Sequence, residues 1–287
     1  MVTIDGEIIS TGVDYVTATQ ILSGGRPQLQ TLVSRWLASE RDAGNDIREF
    51  NSHGYHGLAA GSVAAGTNGT RFLVKLAGAE AQAHAADLIE HADSISRLDL
   101  QTTVRLTHCP LSFAERIERA ALRHKHKHQL KFDVDLRRHD RRGKTVYLGA
   151  RSSERFIRIY DKGAESRLPE LAQCWRAECE FHKPLSMSRA TQICKMGFDD
   201  AWVSQVVSWE LCRRGVRWPQ LLDGAVTEQP SQTNRKRTDA AARVAWLRTQ
   251  VRPTIEKLRG AGFMDQCLDA LGITAEELKG WANASTD

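Results

Sequence analysis

Polar and apolar positions alternate most cleanly in three short runs of this chain. From Arg155 to Lys162, Phe156, Arg158, Tyr160 and Lys162 fall on one face of a strand, and Arg155, Ile157, Ile159 and Asp161 on the other. From Arg176 to His182, Arg176, Glu178, Glu180 and His182 share a face opposite Ala177, Cys179 and Phe181. From Ser96 to Arg105, Arg97, Asp99, Gln101, Thr103 and Arg105 oppose Leu98, Leu100, Thr102 and Val104. Val13 to Gln20 reads as an earlier strand. Gly54 to Ala77 reads as a glycine-punctuated hairpin with Thr67-Asn68-Gly69-Thr70 at its turn. Helical spacing appears in Arg26 to Arg41, Glu80 to Ala92 and Leu111 to His128. A further strand is expected over Lys131 to Leu136.

After Pro184 the pattern becomes helical, over Ser188 to Gly197 and Asp199 to Arg214. Gly224 to Thr238 is polar and basic and reads as a linker. Thr238 to Gly260 and Met264 to Trp281 read as helices, the second with Thr274 and Glu277 as a capping box. The expected fold class is therefore α+β. An antiparallel β-sheet with flanking helices over residues 1–185 is followed by an all-helical C-terminal region over 186–287, with the linker at about 224–238.

Composition narrows the class only a little. The 287 residues, 41% of them hydrophobic, can bury a full core. A net charge of +5 is weak evidence for a nucleic-acid partner. The six cysteines show no CxxC pairing and no zinc spacing, and read as reduced thiols of a cytoplasmic protein. No secretory leader and no apolar run of membrane-spanning length is visible, so no membrane partner is expected. The glycine-rich stretch lacks a phosphate-binding signature and reads as a hairpin.

The candidate chemistry lies on the polar faces of the three strands. A tyrosine flanked by Arg158 and Lys162, beside carboxylates, has the parts of a phosphoryl-transfer site. Tyr160 would be the nucleophile. Asp99, Glu178 and Glu180 would hold a hard cation, Mg2+ or Mn2+, which takes oxygen ligands. An ordinary amphipathic sheet with a solvated face also explains the alternation. Three acids set among arginines count against that blander reading.

The run Tyr147 to Lys162 (YLGARSSERFIRIYDK) resembles the signature of the replication initiation factor family, the rolling-circle initiators of plasmids, conjugative elements and filamentous phages. Arg97-Leu98-Asp99 resembles the family's Arg-x-Asp strand. Arg176-Ala177-Glu178-Cys179-Glu180 resembles its Arg-x-Glu strand, and Gly57 to Gly78 its earlier hairpin. The resemblance implies that Tyr160 attacks a DNA phosphate, nicking and rejoining one origin strand through a 5′-phosphotyrosine. It also implies origin DNA as partner, with a host helicase, a polymerase and a homodimer as further associations. Members often carry a second acid where this chain has Thr103.

The basic residues Arg97, Arg123, Lys125, Lys127, Arg137, Arg138, Arg141, Arg142 and Arg176 are candidates for DNA contact. Among His124, His126 and His128 the intervening residues are lysines, which disfavour a metal by charge repulsion and favour a basic patch. Origin choice is expected largely outside the Tyr160 sheet, in Arg123 to Arg142 or Ser188 to Asp287. A regulator that keeps the fold and binds DNA or RNA without nicking stays open as the alternative.

Overall fold

A computed structural model describes residues 1–24, 28–108, 111–140, 143–182, 184–196 and 199–221. The expected linker, the two last helices, Arg141 and Arg142 lie outside the described residues. The chain divides into two compact units, Met1–Pro230 and Ser231–Asp287, and every described residue belongs to the first.

The elements in chain order are β1 (Val2–Thr3), β2 (Gly6–Ile21), α1 (Gln28–Asp42), β3 (Arg48–Ser52), β4 (Tyr55–Ala60), β5 (Val63–Thr67), β6 (Arg71–Ala77) and α2 (Gly78–His91). Then come β7 (Ser94–Leu106), α3 (Phe113–Lys127), β8 (Val134–His139), β9 (Gly143–Leu148), β10 (Arg155–Asp161) and the short α4 (Lys162–Ser166). The described part closes with β11 (Cys174–His182), α5 (Pro184–Met196), α6 (Asp200–Cys212) and β12 (Val216–Arg217). The antiparallel sheet with flanking helices is thus the observed architecture.

Ten strands form one antiparallel sheet in the order β3-β4-β5-β6-β2-β7-β11-β10-β9-β8. β1 and β12 form a separate parallel pair. The expected hairpin over 54–77 is one part of a four-strand meander that begins at Arg48. The alternation decides which sheet face is covered. Val16, Val74, Leu98, Leu100, Val146, Ile157, Ile159, Ala177, Cys179 and Phe181 join one buried cluster with residues of α1, α2, α3, α5 and α6. All five long helices among the described residues therefore pack on that side, and the polar positions of the same strands face the other way.

β10 is flanked by two glycines at positions with no room for a side chain. Gly149, in the turn after β9, has φ +102°, and an added Cβ would meet the Arg155 carbonyl oxygen at 2.9 Å. Gly163 lies in α4, where an added Cβ would stand 2.5 Å from the Leu171 carbonyl oxygen. The glycines of the Tyr147 to Gly163 stretch are therefore backbone requirements for placing Tyr160.

The sequence suggests a boundary near 185. In the structure α5 and α6 belong to the same core as the sheet, through Leu185, Ala190, Val203, Val206, Val207, Leu211 and Trp218. Behind the sheet, buried Glu210 meets Arg155 and Arg189 at 3.2 Å each and Arg214 at 3.1 Å. Such a group is costly to break, because removing the acid leaves buried guanidinium groups uncompensated. A chain cut at Leu185 is expected to lose cooperative thermal unfolding, and one cut at Pro230 to keep it. Leu211→Ala in the whole chain is expected to cost about 2–5 kcal/mol, read from chemical denaturation.

Candidate active site

Strand pairing assembles the polar face row by row. Tyr160 on β10 lies opposite Arg176 on β11, which lies opposite Thr103 on β7. In the next row Arg158 faces Glu178, which faces Gln101. In the third, Phe156 faces Glu180, which faces Asp99. On the other flank β9 sets Thr145 opposite Tyr160 and Tyr147 opposite Arg158. Every one of these positions comes from period-two alternation, so they share the face away from the helices.

The side chains then pair closely. The Tyr160 hydroxyl donates to Glu178 Oε1 at 2.6 Å, and the other Glu178 oxygen accepts from Arg158. Arg97 donates to Asp99 from Nε and Nη2, at 2.9 and 2.6 Å, and from Nη2 to Glu180 Oε2 at 2.9 Å. Glu180 Oε1 lies 2.6 Å from His182 Nε2. Arg176 donates to Thr103 Oγ1 at 2.9 Å and to Asp14 Oδ1 at 3.2 Å. Lys162 lies beyond the strand, at the start of α4. It bonds Glu165 at 2.6 Å, and its Nζ sits 5.9 Å from the Tyr160 ring centre.

Burial governs the protonation of these groups. It pushes the Asp99 carboxyl up to about 7, with the Glu180 charge adding to the rise and Arg97 opposing it. Burial likewise raises Glu178, against the pull of Arg158. Tyr160 is held well above its ordinary value, first by burial and then by the charge of Glu178 and the hydrogen bond to it. In the resting site the phenol is therefore a donor and not a phenolate. Arg97 and Arg158 stay charged, because the acids around them outweigh the cost of burial.

Among the described residues no group of three His, Cys, Asp or Glu side chains is placed to hold a metal ion. The expected trio does not close. Glu178 is turned to Tyr160 and Arg158, while Asp99 and Glu180 lie opposite each other with the Arg97 guanidinium bridging them. All four oxygens of these two carboxylates bond Arg97 or His182, so a magnesium-like ion, which commonly takes one or two carboxylates plus substrate phosphate and water, would have to displace the Arg97 guanidinium to bind there.

The other basic candidates separate into two sides of the sheet. Arg123, Lys125 and Lys127 lie on α3, which packs through Phe113 against Trp175 behind the sheet. On β8, Arg137 falls in the row of Tyr160 and pairs with Asp135 at 2.7 Å. Arg138 lies opposite Lys144, and both bond Glu115 of α3, at 3.1 and 2.7 Å.

The model of a family described as replication initiation factor matches residues 114–271, more than half of the chain. The chain belongs to the replication initiation factor family. The match spans the Tyr160 and Glu178 strands, whereas Arg97 and Asp99 precede it. A solved structure of a rolling circle replication initiator protein from Geobacillus stearothermophilus aligns with a TM-score of 0.51 at 16% identity, over 71% of this chain and 84% of that one. At that identity the likeness speaks for a shared fold. No match is found among curated proteins.

This family member carries site residues that the strand pattern alone does not single out. His182 shares the Glu180 face and is legible from alternation once the site is known. Asp14 is not legible. The pairing of β2 with β7 shifts register between Val13 and Tyr15, and that bulge lets Asp14 reach Arg176 while its neighbour Tyr15 carries Arg97 over its ring at 4.4 Å.

The raised Asp99 carboxyl has a consequence for stability. Its folded value near 7 exceeds its ordinary 3.8, so the group's contribution is complete below about pH 4 and is lost as pH rises to about 7. Unfolding free energy measured across that window is expected to carry this downward component, on the order of a few kcal/mol, and Asp99→Asn to remove it. Equal pH slopes for the two proteins would show that Asp99 titrates normally in the fold.

Proposed function

We propose that this initiator nicks and rejoins one strand of its origin DNA, with Tyr160 as nucleophile. The observation that carries the reading is the 2.6 Å hydrogen bond from the Tyr160 hydroxyl to Glu178, in a row flanked by Arg158 and Arg176. The phenolic oxygen bonds to the scissile phosphorus as the bond from phosphorus to the 3′ oxygen breaks. The phenol proton passes to Glu178, and the departing 3′ oxygen takes up a proton to become a hydroxyl. The 5′ end stays on the protein as a phosphotyrosine. Because this is a phosphodiester exchange, a 3′ hydroxyl can attack the same link and restore the strand.

The roles of the neighbours follow from charge. Arg158 holds the Glu178 carboxylate aligned, as a positioning residue. Arg176, beside Tyr160 on the next strand, favours phenolate as the proton leaves. Asp99 and Glu180 are the residues that would hold Mg2+ or Mn2+, which when bound would add positive charge at a phosphate oxygen. Lys162 and the exposed Arg137 line the approach for the DNA backbone. Such a protein meets its DNA in the cytoplasm.

The test is covalent attachment. Single-stranded oligonucleotides tiled across the inverted repeat nearest the coding region are incubated with the protein, and adducts that survive hot detergent are counted. Tyr160→Phe is expected to give none while still shifting the same DNA on a native gel. An adduct formed by that variant overturns the assignment. Glu178→Gln is expected to slow adduct formation about a hundredfold or more. Excess chelator is expected to abolish the reaction, and Mg2+ or Mn2+ to restore it. Undiminished rates in chelator would give Asp99 and Glu180 a structural role through Arg97.

A further inference from the structure

We propose that Tyr147 is a stacking platform for a base of single-stranded DNA next to the phosphate presented to Tyr160. The proposal rests on the reading of Tyr160 as the point of attack. Tyr147 stands on β9 opposite Arg158, one strand over from Tyr160 and two residues along. Diagonal neighbours of this kind lie about 7–8 Å apart. That distance is of the order of one step along an extended single strand, so a nucleotide whose phosphate meets Tyr160 brings an adjacent base to Tyr147.

The ring is prepared for that contact. Tyr147 stacks on Phe156 with centroids 5.6 Å apart and planes inclined by 15°. Phe156 is itself buried, 3% exposed, and carries Arg151 over its ring at 5.6 Å. Tyr147 is therefore backed by a fixed aromatic layer and loses little freedom when a base arrives. Its other neighbour is the exposed Arg137, whose guanidinium lies 5.3 Å from the ring centre. A base can take that guanidinium's place on the ring while Arg137 turns to the backbone phosphate.

An aromatic pair on a sheet is usually a packing device. Here it lies on the face opposite all five long helices, in the rows of Arg158 and Glu180. A half-buried aromatic ring beside arginines, on the sheet face that the long described helices leave uncovered, has the features that hold single strands without regard to base identity. The position beside a nucleophile aimed at a DNA phosphate favours DNA over RNA.

The experiment uses the whole chain and a fluorescein-labelled oligothymidine of about twelve nucleotides, within the usual footprint of such surfaces. Fluorescence anisotropy is read over a series of salt concentrations. Tyr147→Leu is expected to weaken binding about tenfold with an unchanged salt slope, since a stacking contact is lost and no phosphate contact. Tyr147→Phe is expected to bind within about twofold of wild type. Arg137→Gln is expected to lower the salt slope by about 0.7, the mark of one lost phosphate contact on a single strand.

Wild-type affinity in Tyr147→Leu overturns the proposal, as does an equal loss in Tyr147→Phe. Tighter binding of oligouridine than of oligothymidine overturns the choice of DNA. Should Tyr147→Leu melt early, Tyr147→Trp decides: its larger ring is expected to tighten binding, and unchanged or weaker binding counts against stacking. Attack by Tyr160 is read separately as the detergent-resistant adduct, so failure of that chemistry and failure of the platform are told apart.

Discussion

The pairing of β11 between β7 and β10 is the constraint on which the site depends. Tyr160, Glu178, Asp99 and Arg97 are spread over three strands, and backbone register alone brings them into neighbouring rows. A slip of one residue in β11 would turn Glu178 and Glu180 into the helical layer and bring Cys179 out. The long-range pairing is defended from behind. Ile157, Ile159, Ala177, Cys179 and Phe181 are all buried against the helices, so a slipped register would put carboxylates into an apolar core.

That defence explains why α5 and α6 belong with the sheet. Their apolar residues cover the central strands, and Glu210 gathers three arginines from β10, α5 and the end of α6. Arg155 is part of that group and is also the first residue of the strand that carries Tyr160. The buried charge cluster on one side thus pins the strand that carries Tyr160 on the other.

On the active face, charge is balanced within the protein. Each of the acids Asp99, Glu178 and Glu180 has an arginine, while burial and the neighbouring Glu178 keep the Tyr160 phenol protonated. On the proposed reading, a DNA phosphate at this face would compete for those arginines, because the guanidinium groups that neutralise the acids at rest are the ones a phosphate can engage.

The sequence by itself determined much of this protein. Strict alternation in Ser96 to Arg105, Arg155 to Lys162 and Arg176 to His182 made the strands, their faces and the grouping of a tyrosine, arginines and acids readable, because side-chain direction in a strand is a local property of the backbone. The glycines of the 54–77 stretch likewise marked a hairpin turn. Only the tertiary structure decided who pairs with whom. Glu178 stands with Tyr160 and not with Asp99, since lateral register depends on strands that are distant in sequence. Lys162 opens a short helix because the Asp161 side chain accepts from the Ala164 amide and caps it. Arg123, Lys125 and Lys127 lie behind the sheet, because the apolar stripe of α3 had to meet the buried face. Asp14 joins Arg176 through a bulge, and a bulge has no signature in the alternation of a single strand.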